Sequence, residues 1–233
     1  MIRILPAAKR GHFNHGWLNT WHTFSFADYY DAENMGFRSL RVMNDDTILP
    51  GEGFGTHGHR DMEILTYVLS GSLEHRDSLG NGGILKHHLV QHMRAGTGIR
   101  HSEANASETE ALHLYQIWIL PNQVGLQPNY VDRHFDPQDA QGKLQLLASP
   151  GGRDGSLDIA QDAFWYRTFL KPGESVSFPL AKGRYAWVQV ADGSVKLNGK
   201  EILSTGDGAA LSEEAEVELV GEKDAEVLVF ELG

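Results

Sequence analysis

Short strand-like runs, broken by a turn roughly every eight to twelve residues, restrict this chain more than any other feature, because no long helical period is sustained anywhere. That punctuation indicates an all-β sandwich or barrel architecture with little helix. Residues 13–30 are rich in aromatic side chains with partial alternation, as in Trp21-His22-Thr23-Phe24-Ser25-Phe26, which favours a packed N-terminal strand. Phe24 and Phe26 are candidates to line a pocket as well. Residues 40–44 read as a short strand, with Asp45-Asp46 as the turn after it. Residues 64–69 read as a buried strand closed by Ser70-Gly71-Ser72, and Ser78-Leu79-Gly80-Asn81-Gly82-Gly83 is the strongest turn signal. Residues 112–120 are apolar at even and odd positions, the pattern of a strand buried on both faces.

From Pro121 to about Gly142 the composition shifts to Asn, Gln, Pro, Asp and Gly, which places an interdomain connection there. Strand signals then resume. Trp187-Val188-Gln189-Val190 turns at Asp192-Gly193 into Ser194-Val195-Lys196-Leu197, and Asn198-Gly199 makes a hairpin turn of primed type. Residues 216–219 and 227–230 are the closing strands. The two halves echo each other: the stretch through Gly206-Asp207-Gly208 has the glycine rhythm that precedes His101, yet no histidine occurs after His134. If the halves are structural repeats, only the first can hold a metal through imidazole.

Metal chemistry enters with two pairs, His57-Gly58-His59 and His101-Ser102-Glu103. On a strand, residues i and i+2 point to the same face, about 6 to 7 Å apart. Each pair can therefore aim two ligands at one point. If the two strands lie side by side, three imidazoles and one carboxylate converge, enough to bind a divalent transition metal and leave room for substrate. Glu63 competes with Glu103 for the carboxylate position.

The chain has no cysteine, so disulfides, iron–sulfur clusters and thiolate sites are excluded, and histidine and carboxylate remain as the strong ligands. Its 31 acidic against 20 basic residues, a formal charge of −11, oppose attraction to nucleic acid or anionic lipid. The N-terminal residues break at Pro6 before an apolar run of signal-peptide length develops, and no run approaches a membrane span. A cytoplasmic protein, without nucleic-acid or membrane partners, is expected.

The spacing of Gly51, His57, His59, Glu63 and Gly71 resembles the first motif of the cupin superfamily, and Gly98, His101 and Asn105 resemble the second. More narrowly, His57-Gly58-His59-Arg60 with Glu63, Glu74-His75-Arg76-Asp77-Ser78-Leu79-Gly80-Asn81 and Ala95-Gly96-Thr97-Gly98-Ile99-Arg100-His101-Ser102-Glu103 resemble the pirin family, specifically its bacterial quercetin 2,3-dioxygenase-like members. The chain departs from many pirins at Gly58, where they carry proline, and at His87-His88-Leu89, where they carry Pro-Gly-Asp.

The resemblance implies a bicupin, two antiparallel β-sandwich or jelly-roll barrels. Residues 1–135 would be the metal-binding domain and residues 136–233 a degenerate cupin domain without metal. The implied ligands are His57, His59, His101 and Glu103, and Glu63 is then a supporting acid. Glu103 is also the expected catalytic base. His75 reads as an ordinary residue of a charged turn, while His22 and His92 are candidate pocket or supporting groups. The implied cofactor is one divalent ion, Fe(II) first, with Mn, Cu, Co, Ni or Zn as alternatives. The implied activity is cleavage of a flavonol such as quercetin by dioxygen at the 2,3 bond, with release of carbon monoxide. The alternative is a metal-dependent binding or regulatory protein.

Overall fold

The strand Leu112–Ile119 is apolar on successive positions because it lies deep within a seven-stranded sheet, hydrogen-bonded to Leu40–Ile48 on one side and Glu63–Ser70 on the other. In the computed structural model, which describes residues 1–233, that sheet faces a four-stranded sheet containing Gly53–His59 and Ile99–Asn105, and together they close a first barrel. A second pair of sheets, again of seven and four strands, makes a second barrel from the C-terminal half. The chain is thus an all-β bicupin. Only three short 3₁₀ segments interrupt it, and no helix is long and apolar enough to cross a membrane.

The two barrels pack through their larger sheets. One core cluster of 23 buried residues joins Tyr67, Tyr115 and Ile117 of the first barrel to Trp165, Trp187 and Phe230 of the second. Truncating one such aromatic to alanine costs about 3–5 kcal/mol. Arg167 and Tyr67, buried at this junction, are paired. Arg167, fully buried, donates to the Phe135 carbonyl at 2.7 Å and to Gln145 Oε1 at 2.8 Å, and it reaches the Tyr67 hydroxyl at 3.3 Å. The Tyr67 hydroxyl in turn donates to Glu226 Oε1 at 2.5 Å. Satisfied in this way, the buried charges fix how one barrel seats on the other. His88 also belongs to this cluster, with Nδ1 3.2 Å from Arg167 Nη1.

Two details depart from the sequence reading and two go beyond it. Asp45 and Asp46 are not a turn but the middle of the strand Leu40–Ile48. Asp45 is held there by Arg10 at 2.9 Å and His113 at 2.7 Å, partners distant in sequence. The connecting segment contains the strand Asn129–His134, which pairs with Leu89–Arg94 at the edge of the first barrel. The turn at Asp192-Gly193 crosses between sheets: Tyr185–Asp192 lies in the seven-stranded sheet and Ser194–Leu197 in the four-stranded one. Finally, Ile2–Leu5 pairs with Gly208–Ser212, so the first strand of the chain extends the second barrel. At Asn198-Gly199 both residues have positive φ, +47° and +65°, as a primed hairpin turn requires.

Candidate metal centre

The two histidine pairs meet because Gly53–His59 and Ile99–Asn105 are antiparallel neighbours, with His101 opposite His57 and Ile99 opposite His59. Alternation turns His57 and His59 to one face of their strand, and likewise His101 and Glu103. His101 Nε2 lies 3.1 Å from His57 Nε2 and 2.9 Å from His59 Nε2. A register shift between His101 and Glu103 places Glu103 opposite Phe54, and its carboxylate is buried behind the imidazoles.

Three inward nitrogens cannot satisfy one another, because one shared proton leaves lone pairs facing each other. His57 Nδ1 is 2.8 Å from the Gly55 carbonyl oxygen, which only an N–H can approach in this way, so the tautomer this contact selects has its Nε2 lone pair toward the cluster. Burial pushes His59 and His101 down to about 4, leaving both imidazoles neutral at pH 7. The nitrogens of His57, His59 and His101 lie within 4.8 Å of one another. This donor set fits a divalent transition metal.

Glu103 is held from the opposite sheet. Gln116 Nε2 donates to its Oε2 at 2.8 Å, and Gln91 Nε2 to its Oε1 at 3.3 Å. Burial pushes the Glu103 carboxyl up, but His75, His101 and Gln91 outweigh it and hold the group below the usual carboxylate range. Glu63 faces elsewhere. Its carboxylate, fully buried, is taken by His92 Nε2 at 2.5 Å and Arg94 Nε at 2.8 Å. His92 is therefore a partner of Glu63, and His22 is buried among the rings of Phe13, Phe26 and Tyr29.

His75 departs from its reading as a turn residue. It is fully buried on the strand Ser72–Asp77, opposite Glu103, stacked on Tyr130 with ring centroids 4.6 Å apart. Its Nδ1 lies 3.5 Å from His101 Nδ1 and 3.9 Å from Glu103 Oε1. Alternation of Leu73, His75 and Asp77 against exposed Arg76 is the signal that identifies it.

The histidines open onto a pocket of about 270 Å³, lined also by Phe26, Asn44, Asp46, Phe54, Ile64, Glu103, Gln116 and Trp118. Of the two phenylalanines singled out from the sequence, Phe26 lines it and Phe24 is core. Phe26 meets Trp118 edge to face at 5.3 Å, and Trp118 meets His59 at 4.9 Å. Asp46 is buried and, in contrast to Glu103, its carboxyl is pushed up to about 7 by that burial. A site with flat apolar walls, three imidazoles and one ionised carboxylate can bind a planar aromatic molecule against an ion.

Comparison with known proteins finds relatives for both halves of the chain. Residues 5–119 match the family model described as Pirin, and residues 146–232 the one described as the quercetinase C-terminal cupin domain. The chain is 53% identical over 232 residues to quercetin 2,3-dioxygenase of Escherichia coli (strain K12), covering 100% of this chain and 99% of that protein. It is 42% identical to a pirin-like protein of Caulobacter vibrioides, with 99% of each chain covered. The crystal structure of the bacterial pirin YhhW from Escherichia coli in complex with nickel(II) superposes with a TM-score of 0.95 at 52% identity, covering 100% of this chain and 99% of that one.

Proposed function

The chain belongs to the pirin family, and from that premise we propose that it is a cytoplasmic metal-dependent dioxygenase that cleaves a flavonol such as quercetin at the 2,3 bond with release of carbon monoxide. The observation that carries the reading is the convergence of His57, His59 and His101 at an aromatic pocket backed by one ionised carboxylate. In this reading His57, His59, His101 and Glu103 hold one divalent ion. Fe(II) is the first candidate, and Mn, Cu, Co, Ni and Zn suit the same nitrogen and oxygen donors. Bound there, the metal would supply Lewis acidity toward a substrate oxygen and the redox partnership that dioxygen chemistry needs.

The protein's own groups do the rest. Phe26, Phe54 and Trp118 receive the flat ring system and exclude water from the reacting face. Glu103, ionised and steadied by Gln116, accepts the proton of the substrate's 3-hydroxyl. Gln91 and Gln116 keep the carboxylate turned to that hydroxyl. We assign the metal to residues 1–135 and treat residues 136–233, which contain no histidine, as a degenerate cupin scaffold.

The test is dioxygen uptake and carbon monoxide release when quercetin is added to iron-loaded protein. Uptake and release in equal amounts are expected. Protein that carries stoichiometric metal and consumes no dioxygen would replace the enzyme reading with that of a metal-dependent binding protein.

A further inference from the structure

The strand Leu40–Ile48 brings three polar residues past the site in succession, and only the outer two face the pocket. Asp45 turns away and is consumed by Arg10 and His113. Asn44 and Asp46 line the pocket, each only 4% exposed; Asn44 Oδ1 has no hydrogen-bond partner, and Asp46 Oδ1 has no well-formed one, with only the Thr20 hydroxyl of the neighbouring strand beside its carboxyl. Of the other neutral polar groups of the wall, the Trp118 indole N–H is a donor without a partner, and the Gln116 amide is already committed. Gln116 gives its amide to Glu103 at 2.8 Å, and its carbonyl oxygen receives the Thr66 hydroxyl at 3.2 Å. The pocket therefore offers imidazole, aromatic surface with one free indole N–H, and an acceptor edge still to be satisfied.

We propose that Asn44 and Asp46 form the specificity edge of this pocket and bind a second hydroxyl of a polyhydroxylated planar aromatic substrate, other than the hydroxyl presented to the histidines. This deepens the flavonol reading above and rests on it. A buried oxygen without a donor is an unfavourable thing to maintain, and natural structures keep such groups where something else supplies the partner. A half-turn about χ2 exchanges the two terminal atoms of either side chain, so each can present an acceptor to the pocket. Phenolic O–H groups are the complementary donors, and they are carried on a ring that suits the walls. Sites built to hydrogen-bond a hydroxyl discriminate strongly against analogues that lack it, because the protein group is then left unpaired.

The experiment uses metal-loaded full-length protein and measures Kd by tryptophan fluorescence or titration calorimetry for two ligands. Quercetin carries further hydroxyls, whereas 3-hydroxyflavone keeps only the 3-hydroxyl. The parent is expected to favour quercetin by roughly tenfold or more. Asp46→Leu and Asn44→Leu each reduce that preference to about threefold or less, with bound metal unchanged, while Asp46→Asn, which keeps an acceptor, retains most of it. Each leucine variant is checked by thermal denaturation, and either one, if folded, carries the test. A parent without preference, or a preference that survives in the folded leucine variants, overturns the proposal. Preferential binding without turnover overturns the dioxygenase reading and leaves this edge standing. Turnover without preference does the reverse, and a parent that binds neither flavonol overturns both.

Discussion

Exchanging Glu103 for Gln and, separately, Glu63 for Gln should separate activity from stability. At position 103 the substitution preserves volume but removes the negative charge and most of the basicity. The new amide is best placed toward Gln91, giving up the 3.3 Å bond, because Gln116 already donates to the other oxygen at 2.8 Å and is tied to Thr66 through its carbonyl. One weak hydrogen bond lost is about 1 kcal/mol of folding stability. Loss of a positioned base, by contrast, lowers turnover by roughly 10²–10⁴-fold. Some metal should remain, held by the three histidines.

At position 63 the outcome reverses. The carboxylate there is fully buried and accepts two charge-assisted bonds, from His92 at 2.5 Å and Arg94 at 2.8 Å. Each is worth about 1.5–3 kcal/mol, and the amide keeps part, so a net loss of about 3 kcal/mol is expected. For a chain of this size that is roughly 6–12 °C in Tm. Metal per chain, dioxygen uptake with quercetin and thermal midpoint are measured on the same preparations. The reasoning fails if Glu63→Gln is inactive at full metal content while Glu103→Gln turns over like the parent. The carboxylate of the first motif would then be the one that matters.

Two further predictions concern the scaffold. Burial, aided by the charge of His15, pushes His22 down to about 4, against about 6.5 in the unfolded chain. Unfolded chains therefore take up the proton first as pH falls from about 6.5 to about 4, and the native state loses stability across that window. In His22→Phe this loss is absent, so the stability of the variant relative to the parent should rise as urea unfolding is repeated from pH 7 down to pH 4.5. A relative stability independent of pH would contradict the assignment. Gly96, at φ +47°, is pressed against the Leu126 carbonyl on the approach to His101, and Gly96→Ala should cost roughly 2–3 kcal/mol and reduce metal loading. Gly58→Ala, whose added Cβ meets nothing closer than 3.7 Å, should change stability by no more than about 0.5 kcal/mol and leave metal content unaltered. Equal effects of the two would refute the steric argument.

What the sequence disclosed was whatever follows from local spacing. The i, i+2 histidine pairs need only a strand to share a face, and the turn chemistry at Asn198-Gly199 specifies its own conformation. Features that depend on distant partners stayed hidden. Asp45-Asp46 looks like a turn until Arg10 and His113 are beside it. His75 looks solvated because Glu74, Arg76 and Asp77 surround it in sequence, although alternation buries it against His101. Nothing near residues 2–5 announces that they extend a sheet by pairing with a strand more than 200 positions later. The place of Asp46 on the pocket wall is hidden by the same reading, which ends the strand at Asn44.

The most direct measurement is anomalous diffraction from crystals of the metal-loaded parent, recorded at the absorption edge of the bound ion. We expect one peak per chain in the first barrel, coordinated by the Nε2 atoms of His57, His59 and His101 and by a carboxylate oxygen of Glu103. A peak bound instead by Glu63, or one lying away from the three histidines, would contradict the account.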